Sequence, residues 1–291
     1  MSQRFGRGKK PMAAQARELL AQHIALTSRH AAKQSLGVKG SRTTGQIHSV
    51  RTHQKYLACL TQAGQWARTE TGLGYLSRLP IPVAQAYLEK RVADGIGQKQ
   101  LDADRNALEF ITGRGSLARV RALTPPTRTS RAYTPEQAAA IAAHQRGENA
   151  LSTQIAFDAG LRAHELFTLQ RADEAAASGH RRWRADRFAG RAGVRYVVVG
   201  KGGLRREVLL DRALADRLEA RRLDTPRAIT DRGVHYVQHY AISGGKRWSQ
   251  SVADAAHRVL GWSTGAHGLR HSYAQRRLLA LQDRGVDYES A

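Results

Sequence analysis

One stretch of β chemistry interrupts a chain otherwise patterned for helices. Val194-Arg195-Tyr196-Val197-Val198-Val199 and Leu204-Arg205-Arg206-Glu207-Val208-Leu209-Leu210 flank Gly200-Lys201-Gly202-Gly203. Two β-rich runs around a glycine turn predict an antiparallel hairpin, with glycine supplying the positive φ. Almost everything else recurs at helical spacing. The expected fold class is therefore α+β: mainly α with a small antiparallel β-sheet, the sheet lying in the second of two domains.

The 291 residues are enough for two domains. Residues 1–12 read as a basic flexible arm that orders on an anionic surface. A helical unit is expected over 13–112. Its helices run from Ala13 to Leu26, Ser49 to Thr69, near Pro82, and Gln98 to Ile111, each carrying one apolar stripe. Residues 113–132 hold Gly113, Gly115, Pro125, Pro126 and five arginines, the composition of an interdomain linker. The second domain, 133–291, opens on Thr134-Pro135-Glu136-Gln137, a capping-box helix start. Further helices are expected at about 150–159, 213–222 and 249–260, with one from His267.

Charge narrows the partner. Lys plus Arg number 47 against 24 Asp plus Glu, a formal net charge of +23. A fold needs no such excess, and the commonest partner of so basic a chain is nucleic acid. Within residues 1–60 there are eleven Lys/Arg and one acid, Glu18. Arg42, Arg51, Lys55, Arg128 and Arg131 are the expected DNA-backbone contacts. Aromatic residues make up 6%, too few for a base-stacking RNA module. No apolar run reaches the roughly 18 residues of a membrane span, so no membrane partner is expected. The lone Cys59 leaves no intramolecular disulfide, suits a reducing compartment, and sits where a core thiol would.

Three local motifs carry chemistry. Gly160-Leu161-Arg162-Ala163-His164-Glu165-Leu166 follows a helix end. Gly200-Lys201-Gly202-Gly203 tips the hairpin. His267-Gly268-Leu269-Arg270-His271-Ser272-Tyr273-Ala274 opens a late helix and sets two imidazoles and a guanidinium on about one turn. In this order the three resemble the tyrosine recombinases, the phage-type integrases, from about Tyr133 onward. The helical unit matches that family's core-binding domain in kind only. The resemblance implies a core-binding domain followed by a DNA breaking-rejoining catalytic domain. It implies DNA integration or site-specific recombination by transesterification, with no metal and no cofactor, on double-stranded DNA and with self-association there. It also implies a prokaryotic, cytoplasmic, nucleoid-associated protein of a mobile genetic element. Arg162 and Arg270 would clamp the scissile phosphate, because guanidinium forks match phosphate geometry. His267 would bond the phosphate or pass a proton, and Lys201 would protonate the leaving 5′ oxygen. Glu165 and His271 would support them.

The family's nucleophile is a tyrosine two helices beyond the His-x-x-Arg helix, after a Leu-Gly-His segment. Only 21 residues follow Arg270 here, without Leu-Gly-His. Tyr288 is the tyrosine after the helix, flanked by Asp287 and Glu289, whose charges oppose a phosphate. The expectation is a catalytic domain incomplete at its C-terminus. Two classes therefore stay open: a recombinase, and a catalytically incomplete integrase fragment that only binds attachment-site DNA. Zinc chemistry fits poorly, since His235/His239 and His267/His271 lack the Glu of His-Glu-x-x-His. The Gly200 turn lacks P-loop spacing, and there is no Gly-x-Ser-x-Gly elbow.

Overall fold

The structure, a computed structural model, describes residues 10–25, 29–37, 44–125 and 129–286. The basic arm up to residue 9, Arg42, Arg128 and Tyr288 lie outside the described residues. The chain forms two compact units, Met1–Arg128 and Thr129–Ala291.

The first unit is helical: α1 (Met12–Ala21), α2 (Arg29–Ser35), α3 (Val50–Thr71), α4 (Ile81–Ala93) and α5 (Gln98–Thr112). Ser49 caps α3 by accepting from the Thr52 amide, and Gly72 ends it in the left-handed region. The apolar stripes meet in a core of Leu20, Leu60, Leu76, Leu88 and Leu108, all fully buried. Cys59 is buried there too, and burial, followed by Asp104, pushes its thiol up to about 12. It is a core residue with no reactive thiolate. Helix α1 stops at Ala21, short of the Leu26 expected from sequence, and α2 has no counterpart among the expected helices. The segment expected as a linker begins inside this unit. Leu117 is buried in its core, and Gln98 holds both the Ala122 amide and the Val120 carbonyl.

The second unit builds α6 (Pro135–Ala143), α7 (Gly147–Ala159), β1 (Gln170–Arg171), β2 (Val194–Val199), β3 (Arg205–Leu210), α8 (Arg212–Glu219), β4 (Arg222–Asp231), β5 (Val234–Tyr240), α9 (Gly245–Leu260) and α10 (Ala266–Gln282). The capping box at Thr134 and Gln137 forms in full. The expected hairpin is β2–β3, with Val198 opposite Arg206, and β1 adds a third antiparallel strand. A separate hairpin, β4–β5, was not expected. The Gly160–Leu166 motif leads into a 3-10 turn, Glu165–Thr168. Trp248, Tyr196, Ile155 and Leu269 anchor the core between the first sheet and α6, α7, α9 and α10. Among the described residues no helix is long and apolar enough to cross a membrane.

Gly160 is where this unit turns toward its site. It ends α7 at φ +64°, and a Cβ there would lie 2.4 Å from the Tyr273 ring. Gly160→Ala therefore meets a left-handed penalty of about 1–2 kcal/mol and an overpacking cost of about 1–3 kcal/mol. Urea unfolding should show a loss of about 2–5 kcal/mol in total. A midpoint equal to that of the unsubstituted chain would contradict this packing.

Candidate functional site

The left-handed turn at Gly160 delivers Arg162 and Glu165 to the start of the 3-10 turn. Glu165 is fully buried. Its Oε2 accepts from the Arg162 amide at 2.8 Å, and its Oε1 from Arg162 Nη1 at 2.8 Å. From β3, Arg206 Nη2 donates to Oε2 at 2.8 Å. From α10, Arg270 Nη1 stands 3.9 Å from Oε2 and donates to the Gly160 carbonyl. Three guanidiniums from three elements thus converge on one carboxylate, leaving the pocket net positive. Burial pushes the Glu165 carboxyl up, but Arg206, the Arg162 amide and the guanidinium bonds outweigh it and hold it low. Burial, then the like charges of Arg162 and Arg206, pulls the Arg270 guanidinium below its ordinary value. A bound anion would relieve that repulsion.

The start of α10 is fixed from outside the helix. Tyr133 donates its amide to Ser272 Oγ, which donates back to the Tyr133 carbonyl, both at 2.8 Å. Thr264 Oγ1 donates to the Arg131 carbonyl at 2.8 Å. Gly268 is what permits this closure, since a Cβ there would stand 2.5 Å from the Tyr133 ring and 2.8 Å from the Arg131 carbonyl. The glycine of His-Gly-Leu-Arg is thus a packing residue. His267 is exposed at this end, and its ring meets that of His271 edge-on, centroids 4.9 Å apart.

Burial first, and then the positive fields of His271, Arg131, Arg270 and Arg162, holds His267 below the ordinary imidazole range. Its ring is neutral at pH 7, able to donate from one nitrogen and accept at the other. The charged ring is the disfavoured form in the folded state. Stability linked to His267 is therefore lost as pH falls below the imidazole's unfolded value. The expected NMR titration of the His267 Hε1 signal has a midpoint below that of a free imidazole, and inorganic phosphate moves it upward. A midpoint at or above the free value, unmoved by phosphate, would contradict this electrostatic picture.

Arg162, Glu165, His267, Arg270 and His271 are thus gathered at one place, with Arg131 on the rim. Lys201 opens the turn between β2 and β3. The turn begins against the site, because a Cβ on Gly200 would lie 3.2 Å from Glu165 Oε1 and 3.9 Å from Arg162 Nη1. Arg51, exposed, and Lys55, half-buried, lie one turn apart on α3 in the other unit. Sequence reading missed Arg206. Its signal was strand alternation, which puts it on the same face as the buried Val208 and Leu210. Beside Arg206 and Arg270 a groove of about 470 Å³ runs along α10, past Tyr273, Ala274, Arg277, Leu278 and Leu281.

No protein-family model and no curated protein sequence matches the chain. Solved structures do. The XerH site-specific recombinase bound to difH substrate, a pre-cleavage complex, is 13% identical, with 98% of this chain and 90% of that chain covered and a TM-score of 0.52. XerH bound to palindromic difH substrate, a post-cleavage complex, is 14% identical, with 96% and 88% covered and a TM-score of 0.51. The chain has the α+β fold of the tyrosine recombinases.

Proposed function

We propose that the second unit grips a DNA phosphodiester, and that the chain is a tyrosine recombinase acting in DNA integration or site-specific recombination. The observation that carries this is the convergence of Arg162 and Arg270 on buried Glu165, with His267 one turn before Arg270 on α10. Two fixed guanidinium forks stabilise charge on the nonbridging oxygens as it redistributes in the transition state, without a metal ion. Glu165 and Arg206 hold the forks, and His267 donates to a phosphate oxygen or passes a proton. In the step proposed, a tyrosine oxygen bonds to phosphorus, its phenolic proton passing to His267, as the bond to the 5′ oxygen breaks. Lys201 gives that oxygen its proton, and the product is a 3′-phosphotyrosyl link with a free 5′ hydroxyl. The first unit, over 13–112, serves as the core-binding domain and 133–291 as the catalytic domain. Arg51, Lys55 and Arg131 contact the duplex backbone, and copies of the chain associate on DNA.

Tyr273, the tyrosine nearest Arg270 in sequence, packs its ring on Gly160 and accepts from Arg191 Nη1 at 3.3 Å. It is a wall of the site, with its hydroxyl already engaged. That engagement favours a second reading, in which the pocket occupies attachment-site DNA without cutting it. Nicked suicide duplexes drawn from a randomised pool separate the two. Recombination predicts a protein–DNA adduct that survives denaturing gels and maps to a tyrosine. Duplex binding with no adduct, unchanged in Tyr288→Phe, would remove transesterification and leave binding.

A further inference from the structure

A second cleft, of about 330 Å³, shares Tyr273 and Arg277 with the groove beside Arg270. Its walls carry Arg191, Arg276, Arg277 and Arg284 around a single carboxylate, Asp158. Each guanidinium is held by a neutral acceptor. Arg276 Nη2 donates to the Phe157 carbonyl at 2.6 Å, Arg277 Nη2 to the Arg187 carbonyl at 3.1 Å, and Arg284 Nη1 to the Ala189 carbonyl at 2.7 Å. Arg191 donates to the Tyr273 hydroxyl. Among the described residues none of the four makes an ion pair within 4.0 Å. Asp158 already accepts from the Asp211 amide at 2.9 Å, and Asp186, a carboxylate near Arg277 and Arg284, is paired with Arg184 at 2.8 Å.

The segment between β1 and β2 builds one wall of this cleft. Arg187 lies over the rings of Trp183 and Phe188, 5.8 and 5.0 Å from their centroids, which pins the segment. Its main-chain carbonyls then orient Arg277 and Arg284, and it contributes Arg191. Arg276 is fixed on the other side by stacking 4.0 Å over Phe157. Four preoriented guanidiniums, each with N–H groups beyond the one already bonded, form a built anion site. Planar forks select phosphate oxygens. The same segment continues the positive surface with exposed Arg181 and Arg182, which favours a polymeric ligand over a small one.

We propose that this cleft takes a backbone phosphate of duplex DNA, a second contact beside the Arg162–Arg270 pocket. The assignment rests on the DNA-binding reading above. The test is duplex binding by the full chain against salt concentration, for the unsubstituted protein and Arg191→Gln/Arg284→Gln. Each lost phosphate contact takes about 0.9 off the slope of log K against log salt, so the double variant should lose about 1–2 from that slope. Its thermal unfolding should be unchanged, and the single Arg284→Gln, at an exposed position, serves if the double variant unfolds. Duplex binding with an unaltered slope overturns this site and leaves the Arg162–Arg270 reading standing. No duplex binding by the unsubstituted chain overturns both. Inorganic pyrophosphate provides the second arm. If it binds in a way the variant abolishes while the duplex slope stays unchanged, the cleft serves a free phosphate and the backbone assignment falls.

Discussion

Glu165→Ala should cost the second unit about 3–5 kcal/mol, the range for removing one partner of a buried charge network. The carboxylate is fully buried and receives the Arg162 amide, the Arg162 guanidinium and Arg206, with Arg270 at 3.9 Å. Without it three guanidiniums face one another with no counter-charge. Glu165→Gln keeps the shape and loses the charge, so it should recover only part of the loss. The carboxyl is held below its ordinary range. Its stabilisation is therefore complete above the unfolded carboxylate value and is lost as pH falls through the lower folded-state value. Urea unfolding at neutral and acid pH reads both effects. The gap between the unsubstituted chain and Glu165→Gln should narrow in acid. A neutral-pH loss below about 1 kcal/mol, the scale of an exposed ion pair, would mean that Glu165 does not organise the site.

The second large effect concerns Arg270. Arg270→Ala should reduce strand cleavage by about 10²–10³-fold, the range for removing one preorganised donor to a transition-state oxyanion. Stability should change far less, because Glu165 keeps Arg162 and Arg206, and the like-charge repulsion that lowers the Arg270 guanidinium is relieved. Arg270→Lys restores the charge without the planar fork and should recover little. Single-turnover adduct formation measures this. Full activity in Arg270→Lys would show that the residue acts as a point charge and would contradict the two-fork clamp.

What could be read before the structure follows physical contrast along the chain. The β2–β3 hairpin was legible because its two runs are rich in apolar and β-branched residues around glycines, in a chain of helical spacing. Tyr196, Val198, Val208 and Leu210 are indeed buried. The β4–β5 hairpin was not legible. Most of β4 is exposed, Pro226 interrupts it, its register shifts between Arg222 and Arg227, and its turn is Arg232-Gly233, not Asn-Gly. The apolar pattern overran helix α1, because Leu26 continues a spacing whose hydrogen bonding ends at Ala21. At the site, Arg162, Glu165, His267, Arg270 and His271 were legible from local motifs. Arg206 was obscured because an arginine in a strand of a basic chain looks like any solvated arginine. Its meaning comes from Glu165, 41 positions away. The basic segment between β1 and β2 was opaque for the same reason, since its value lies in which carbonyls meet which guanidiniums.

Arg162 and Arg270 are proposed to hold together a backbone phosphate of duplex DNA. The most direct measurement is duplex affinity across a salt series for the unsubstituted chain and for Arg162→Gln/Arg270→Gln, in which Glu165 keeps Arg206. The expected result is a steep slope for the former, lowered by roughly 0.9–1.8 in the double variant as one or two counterion-releasing contacts are lost. Equal slopes and equal affinities would contradict the account, whatever the fold resembles.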